Sequence, residues 1–309
     1  MEQLIQLKGR EDGPHGLILA GVHGDEYEPI VALLDLVHEL RDGWLRRGTV
    51  IVDHLANPSA CKLGTRTGED GLDLARICPG DNHGSPSQRA AFAVSERIQQ
   101  ADFLIDLHTG GLAFDIFPLV GYMLHPHPAV LDAQRKMALA SGMPLIWGTD
   151  YHPMGRTLSV AREAGVPAVY MEFGGGSGFR KAVVDRYKNA VKRILACWGM
   201  AMAVPEMDAP EDWSYWLEDA RTDSGFLQGQ MPAPVSGIFV PAVNVGEFVH
   251  ENQLFGHIID TSTGRREEVL APHDGLVFLL RDLVAVGKGD ALGGIMAVKR
   301  RTKLTIDGK

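Results

Sequence analysis

Cysteine is scarce in this sequence, and long apolar runs are missing altogether. The three cysteines, Cys61, Cys78 and Cys197, are an odd and widely spaced set in 309 residues. Such a set builds no disulfide framework and fits a reducing compartment. Acidic residues outnumber basic ones 39 to 30, which argues against nucleic acid or an anionic membrane surface as the main partner. No stretch has the apolar length needed to span a bilayer. Residues 1–10 carry Glu2, Lys8 and Arg10 and lack the apolar core of a signal peptide. The expectation is a cytoplasmic protein with no membrane and no nucleic-acid partner. A few local arginines still leave room for an anionic small molecule.

What is present is ordinary globular composition, 45% hydrophobic and 22% charged, at a length where one core usually gives way to two. Apolar strand-like runs at 16–20, 49–55, 103–107 and 168–173 alternate with helical spacing at 29–40, 85–100, 128–141 and 181–200. That alternation predicts an α/β domain with a mostly parallel sheet and flanking helices. Between 57 and 87 lies a long polar loop, of the kind that commonly carries function. The composition changes at Val204. Residues 205–212 read as a linker, and the expected domains are 1–207 and 208–309. The second is β-rich and repeats itself. Ala233-Pro234 with Gly237-Ile238 is echoed by Ala271-Pro272 with Gly275-Leu276, and a Val-Gly pair follows each, Val245-Gly246 and Val286-Gly287. Two matching units of this kind predict a small pseudo-symmetric sandwich.

The chemistry-bearing segment is Gly21-Val22-His23-Gly24-Asp25-Glu26, directly after a strand. His23 and Glu26 stand three apart, so a tight turn entering a helix aims both at one point. An imidazole and a carboxylate at that spacing suit zinc, with a third ligand from elsewhere leaving an open position for water. His108, in Asp106-Leu107-His108-Thr109-Gly110, supplies it at another strand end, where α/β sheets place their ligands. The other ten histidines are read as surface or loop residues. His125-Pro126-His127, held extended by its proline, is assigned to no metal. Asp106 is either a support for the metal histidine or a strand-end turn residue.

This set, His23-Gly-Asp-Glu26 with Asp-Leu-His108, resembles the succinylglutamate desuccinylase/aspartoacylase family, relatives of the zinc carboxypeptidases. The resemblance extends through Asn57-Pro58, Arg66, Asp73-Leu74-Ala75-Arg76 and Met171-Glu172-Phe173-Gly174 to the terminal β region. It implies a zinc-carboxypeptidase-like mixed sheet with an appended biotinyl/lipoyl-like barrel-sandwich, and one zinc ion per chain. It also implies Glu172 as general base, Arg66 as the arginine that steadies the oxyanion, and Arg76 as the grip on a substrate carboxylate. Asn57 is assigned to substrate binding with them. One departure stands out, because the family usually has Asn immediately before that arginine and this chain has Ala75, which donates no hydrogen bond. Arg156 is the expected substitute anion contact. The hairpin 260–266 contains no lysine to modify, which speaks against a swinging arm.

The resulting expectation is a zinc amidohydrolase that removes the acyl group from a small N-acylated amino-acid-like substrate. Two other readings compete: a zinc carboxypeptidase acting on peptides, and a metal-binding interaction module without catalysis. Amide against ester preference, and assembly as a homo-oligomer, are left open by the sequence.

Overall fold

The computed structural model describes residues 4–41, 43–201, 215–222, 224–226 and 231–298. The polar stretch 205–212 and the expected boundary between 207 and 208 lie outside the described residues. The first part of the chain forms β1 (Leu4–Lys8), β2 (Glu11–Leu19), α1 (Tyr27–Arg41), β3 (Arg47–Asp53), α2 (Pro58–Leu63), α3 (Leu74–Ile77), α4 (Pro86–Gln99) and β4 (Phe103–His108). There follow β5 (Phe114–Met123), α5 (Pro128–Ser141), β6 (Leu145–Thr149), α6 (Thr157–Ala164), β7 (Ala168–Gly174), α7 (Lys181–Cys197) and β8 (Tyr215–Glu218).

The sheet runs β1-β3-β2-β4-β7-β5. Strands β3, β2, β4 and β7 are parallel to one another, while β1 runs antiparallel to β3 and β5 antiparallel to β7. Past β5 the sheet continues through β6 into β8, both parallel. The architecture is a mixed α/β sheet. Its strands are apolar on both faces because both are covered. In β2, Ile18 belongs to one core and Leu17 and Leu19 to the other. Leu33, Leu36, Val37 and Leu40 of α1 and Val184, Tyr187, Val191 and Ile194 of α7 cover the first face, spaced as one helical stripe requires. Ala91, Val94 and Ile98 of α4 and Leu158 and Ala161 of α6 cover the second. Each fully buried Leu or Ile contributes about 1.5–3 kcal/mol of burial free energy.

The apolar runs read from the sequence become β2, β3, β4 and β7. The regular helices also form, the last ending at Cys197 rather than residue 200. Five elements are additions, the five-residue β1 among them. Strand β5 carries Pro118 in its middle, and its pairing with β7 shifts register between Ile116 and Leu119, as a proline inside a strand demands. Strands β6 and β8 and helix α6 are too short to show a period. The long loop 57–87 is also less irregular than expected, since it contains α2 and α3.

From residue 215 onward the described residues contain no helix. Beyond β8 the strands are β9 (Gly237–Pro241), β10 (Phe248–Val249), β11 (Leu254–Ile259), β12 (Arg266–Leu270), β13 (Gly275–Arg281), β14 (Ala285–Val286) and β15 (Gly293–Met296). β12-β11-β9-β14 form a separate four-stranded sheet. β13, with β10 and β15, instead joins the large sheet, pairing with the first three residues of β5. The two sequence repeats open β9 and β13, one in each sheet. A Cβ on Gly237 would lie 2.3 Å from the carbonyl oxygen of Ile259, and one on Gly275 2.3 Å from that of Met296. Close strand approach explains why both repeats carry glycine there. Phe239, Phe255, Ile258, Val277 and Leu292 fill the core between. Among the described residues, no helix is long and apolar enough to cross a membrane.

Candidate metal centre

β2 delivers the chain into the turn at residues 20–26. Gly21 takes a left-handed conformation, φ 68°, and Gly24 is pressed on α2 so closely that a Cβ would sit 1.9 Å from the Ala60 carbonyl oxygen. The Asn57 amide donates to Gly21 O at 2.8 Å, and the Gly24 amide to Thr65 O at 2.9 Å. Tied down on both sides, the turn aims His23 and Glu26 at the end of β4, where His108 emerges.

The three side chains are buried and meet through one carboxylate. His23 Nδ1 lies 2.7 Å from Glu26 Oε1, and His108 Nδ1 lies 3.1 Å from Glu26 Oε2. Their candidate ligand atoms all fall within 4.8 Å of one another. The other nitrogen of each ring faces a second carboxylate. His23 Nε2 is 3.2 Å from Asp73 Oδ1, and His108 Nε2 is 3.2 Å from Asp106 Oδ1. Asp106 also accepts the Thr157 hydroxyl at 2.5 Å. A carboxylate behind each imidazole is how metal-binding histidines are oriented. Two imidazoles and one carboxylate with inward nitrogens fit a divalent cation of borderline softness.

The electrostatics agree. Burial alone would favour neutral His23, but Glu26 and Asp73 outweigh it and raise its pKa. Burial is likewise overcome at His108 by Asp106 and Glu26, leaving it well above the usual histidine range. Glu26 would be pushed up by burial, yet the two imidazoles hold it well below the ordinary carboxylate range. The site thus stabilises charge of both signs at one point.

Glu172 stands on β7 directly opposite His108 on β4. Burial, with Glu26 adding and His108 opposing, pushes its carboxyl up to about 8. Its Oε2 has no hydrogen-bond partner among the described residues. Glu172 and the three candidate ligands line one cavity of about 130 Å³, together with Arg66, Arg76 and Arg156. Arg66 is held by Asp73, with Nε 3.0 Å and Nη2 2.9 Å from Oδ2. Arg76 donates to the Ala75 carbonyl at 2.9 Å. Burial lowers its pKa, Asp73 opposes, and Arg156 and Arg66 lower it further. Arg156 has no ion-pair partner among the described residues. The lining also includes the apolar side chains of Phe114, Ile116, Met123 and Leu279.

Asn57 is the expected site residue that does not join this group. It is fully buried, absent from the cavity lining, and caps α2 by accepting the Ala60 amide at 3.3 Å. Its side-chain oxygen caps the helix and its Nδ2 donates to Ser87 Oγ at 3.4 Å, so neither end is offered to a ligand. His125 and His127 are also elsewhere: His125 Nε2 contacts the Arg162 carbonyl, and His127 is the N-cap position of α5. The bridge from His23 through Asp73 to Arg66 was not read from the sequence, nor was the Thr157–Asp106 contact. The only available signal was the acidic residue three before Arg76, placed as a helix cap.

A mixed α/β sheet with a buried His–Glu–His set at its strand ends defines the class, a protein with a candidate hydrolytic metal centre. The chain belongs to the succinylglutamate desuccinylase/aspartoacylase family, whose catalytic-domain model matches residues 12–198. It is 28% identical over 300 residues to the N-alpha-acetyl-L-2,4-diaminobutyric acid deacetylase of Halomonas elongata, covering 94% of this chain and 84% of the relative. A succinylglutamate desuccinylase of Pseudomonas paraeruginosa is 32% identical over 116 residues, 35% of this chain and 34% of the relative. The crystal structure of a succinylglutamate desuccinylase/aspartoacylase from Rhodobacter sphaeroides superposes with a TM-score of 0.84 at 27% identity, covering 97% of this chain and 89% of the other. The product-bound ectoine utilization protein EutE (DoeB) of Ruegeria pomeroyi has the same fold, with a TM-score of 0.84 at 24% identity over 94% of this chain and 87% of the other.

Proposed function

We propose that the chain hydrolyses the amide bond of a small N-acyl amino acid at a zinc ion held by His23, Glu26 and His108. The observation that carries this is the shared Glu26 carboxylate between two inward-facing imidazole nitrogens, with Glu172 on the neighbouring strand. When bound, the cation supplies a Lewis acid that polarises the scissile carbonyl and acidifies a water. Glu172 takes the proton of the attacking water and passes it to the amide nitrogen as the C–N bond breaks, releasing a carboxylate and an amine. A carboxyl group pushed up to about 8 is matched to proton transfer near neutrality. Arg66, fixed by Asp73, meets the negative charge that develops on the carbonyl oxygen.

Recognition falls to Arg76 and Arg156. Ala75 sits in the cavity wall where an asparagine amide would otherwise help, so the second arginine takes that place beside Arg76. Two guanidinium groups lining one small cavity are best accommodated with a substrate carboxylate between them. The relative that acts on an N-acetylated diamino acid supports a small acyl group and an amino-acid-like amine. In this reading the C-terminal β region is a barrel-sandwich that walls the cavity, and without a lysine in 260–266 it carries no swinging arm. Asn57 is structural.

Metal analysis together with a substrate panel tests the proposal. Near one zinc per chain is expected, with faster cleavage of N-acetyl or N-succinyl amino acids than of peptides. A protein that stays metal-free after zinc supplementation, or that cleaves only peptides, would overturn it.

A further inference from the structure

The site depends on a stretch with little regular structure. Residues 64–85 contain only the four-residue α3, yet they supply Arg66, Asp73 and Arg76. Asp70 holds this stretch in place. Its Oδ2 accepts the Ser85 hydroxyl at 2.5 Å and the Ser87 amide at 2.8 Å. Its Oδ1 accepts the Ser87 hydroxyl at 2.8 Å and the Leu72 amide at 3.2 Å. Asn57 donates to the same Ser87 hydroxyl oxygen at 3.4 Å, joining the clamp to α2.

The anchor point is rigid. Ser87 lies in the first turn of the 14-residue α4, where backbone N–H groups lack partners within the helix and a carboxylate is favoured by the helix dipole. α4 is fixed in turn by Ala91, Val94 and Ile98 in the core. The loop is also pressed flat against the clamp, because a Cβ on Gly68 would lie 2.4 Å from Ser87 Oγ. Three residues beyond Asp70, Asp73 caps α3 through the Ala75 amide at 2.9 Å and touches both His23 and Arg66.

We infer that Asp70 is a positioning residue: by clamping the loop to the N-terminus of α4 it holds Asp73 against His23 and Arg66, and so sets metal affinity and the placing of Arg66. This rests on the metal-centre reading above. Apo-protein titrated with Co²⁺, read by visible absorption, tests it apart from activity. Asp70→Ala is expected to weaken Co²⁺ binding roughly ten- to hundredfold, the usual cost of losing support for a ligand. Asp70→Asn, which keeps one acceptor oxygen, falls between. The double variant Asp70→Ala/Asp73→Ala is expected to bind no more weakly than Asp73→Ala, because the two residues act in series. Unchanged Co²⁺ affinity in Asp70→Ala, or losses that add in the double variant, would overturn the inference. Should Asp70→Ala fail to fold, Asp70→Asn alone and combined with Asp73→Ala makes the same comparison. If the unsubstituted protein cleaves no N-acyl amino acid, the hydrolase reading fails while the Co²⁺ titration still decides the role of Asp70.

Discussion

Glu172, the proposed base, owes its raised proton affinity to its surroundings. An ordinary glutamate is a weak base at neutral pH. Here a buried setting on β7, with one oxygen left unpartnered among the described residues, raises its affinity for a proton into the useful range. Glu172→Gln removes the proton acceptor and leaves shape and ligands intact. Turnover of an N-acyl amino acid is expected to fall by roughly 10²–10⁴ with zinc content unchanged, measured by elemental analysis beside steady-state kinetics. Equal turnover would remove Glu172 from the reaction. The grouping of the candidate ligands was legible in the sequence because His23 and Glu26 are three residues apart and His108 ends an apolar run. Asp73 and Thr157 were not, because their partners stand 50 and 51 residues away in the chain and only the folded sheet brings them together. Asn57 misled for the opposite reason, since its neighbouring proline marks a helix start as readily as a binding loop.

At the level of elements, the join between β3 and α4 decides how firmly the platform of the site is held. Asp53, the fully buried last residue of β3, pairs with Arg97 in the last turn of α4 at 2.6 Å. Removing one partner of such a pair leaves an uncompensated buried charge. Arg97→Met is therefore expected to lower stability by about 3–5 kcal/mol, and Asp53→Asn/Arg97→Met to recover most of it, as read from urea unfolding. Burial pushes Asp53 up to about 6 despite Arg97, whereas an unfolded aspartate titrates near 3.9. Between those values the folded chain holds a proton that the unfolded chain has released. This contribution to stability is present below about pH 3.9 and is lost as the pH rises through about 6. Asp53→Asn is expected to flatten that part of the stability–pH curve; an unchanged curve would assign the slope to other groups. Elements with long periodic stripes, such as α1 and α7, were readable from sequence. β5 was not, because Pro118 and the register shift beside it interrupt its alternation.

Across the whole molecule, the β-rich C-terminal region and the α/β sheet share a seam. β13 lies along the first residues of β5, and its Leu279 faces the same cavity as the candidate ligands. Leu279→Ala is expected to lower stability by about 2–5 kcal/mol and to raise kcat/KM for bulky acyl groups relative to acetyl. No change in that ratio would mean the wall does not sort substrates. The pairing of β4 with β7 has a different outcome. His108 and Glu172 occupy one rung of a parallel ladder, so the backbone gap between candidate ligand and proposed base is set by interstrand spacing, about 4.8 Å. Arg156, outside that ladder at the N-cap of α6, can be exchanged without recalibrating that backbone gap. On the proposed reading, this anion contact and the bond-breaking geometry are in this way mutable independently of each other.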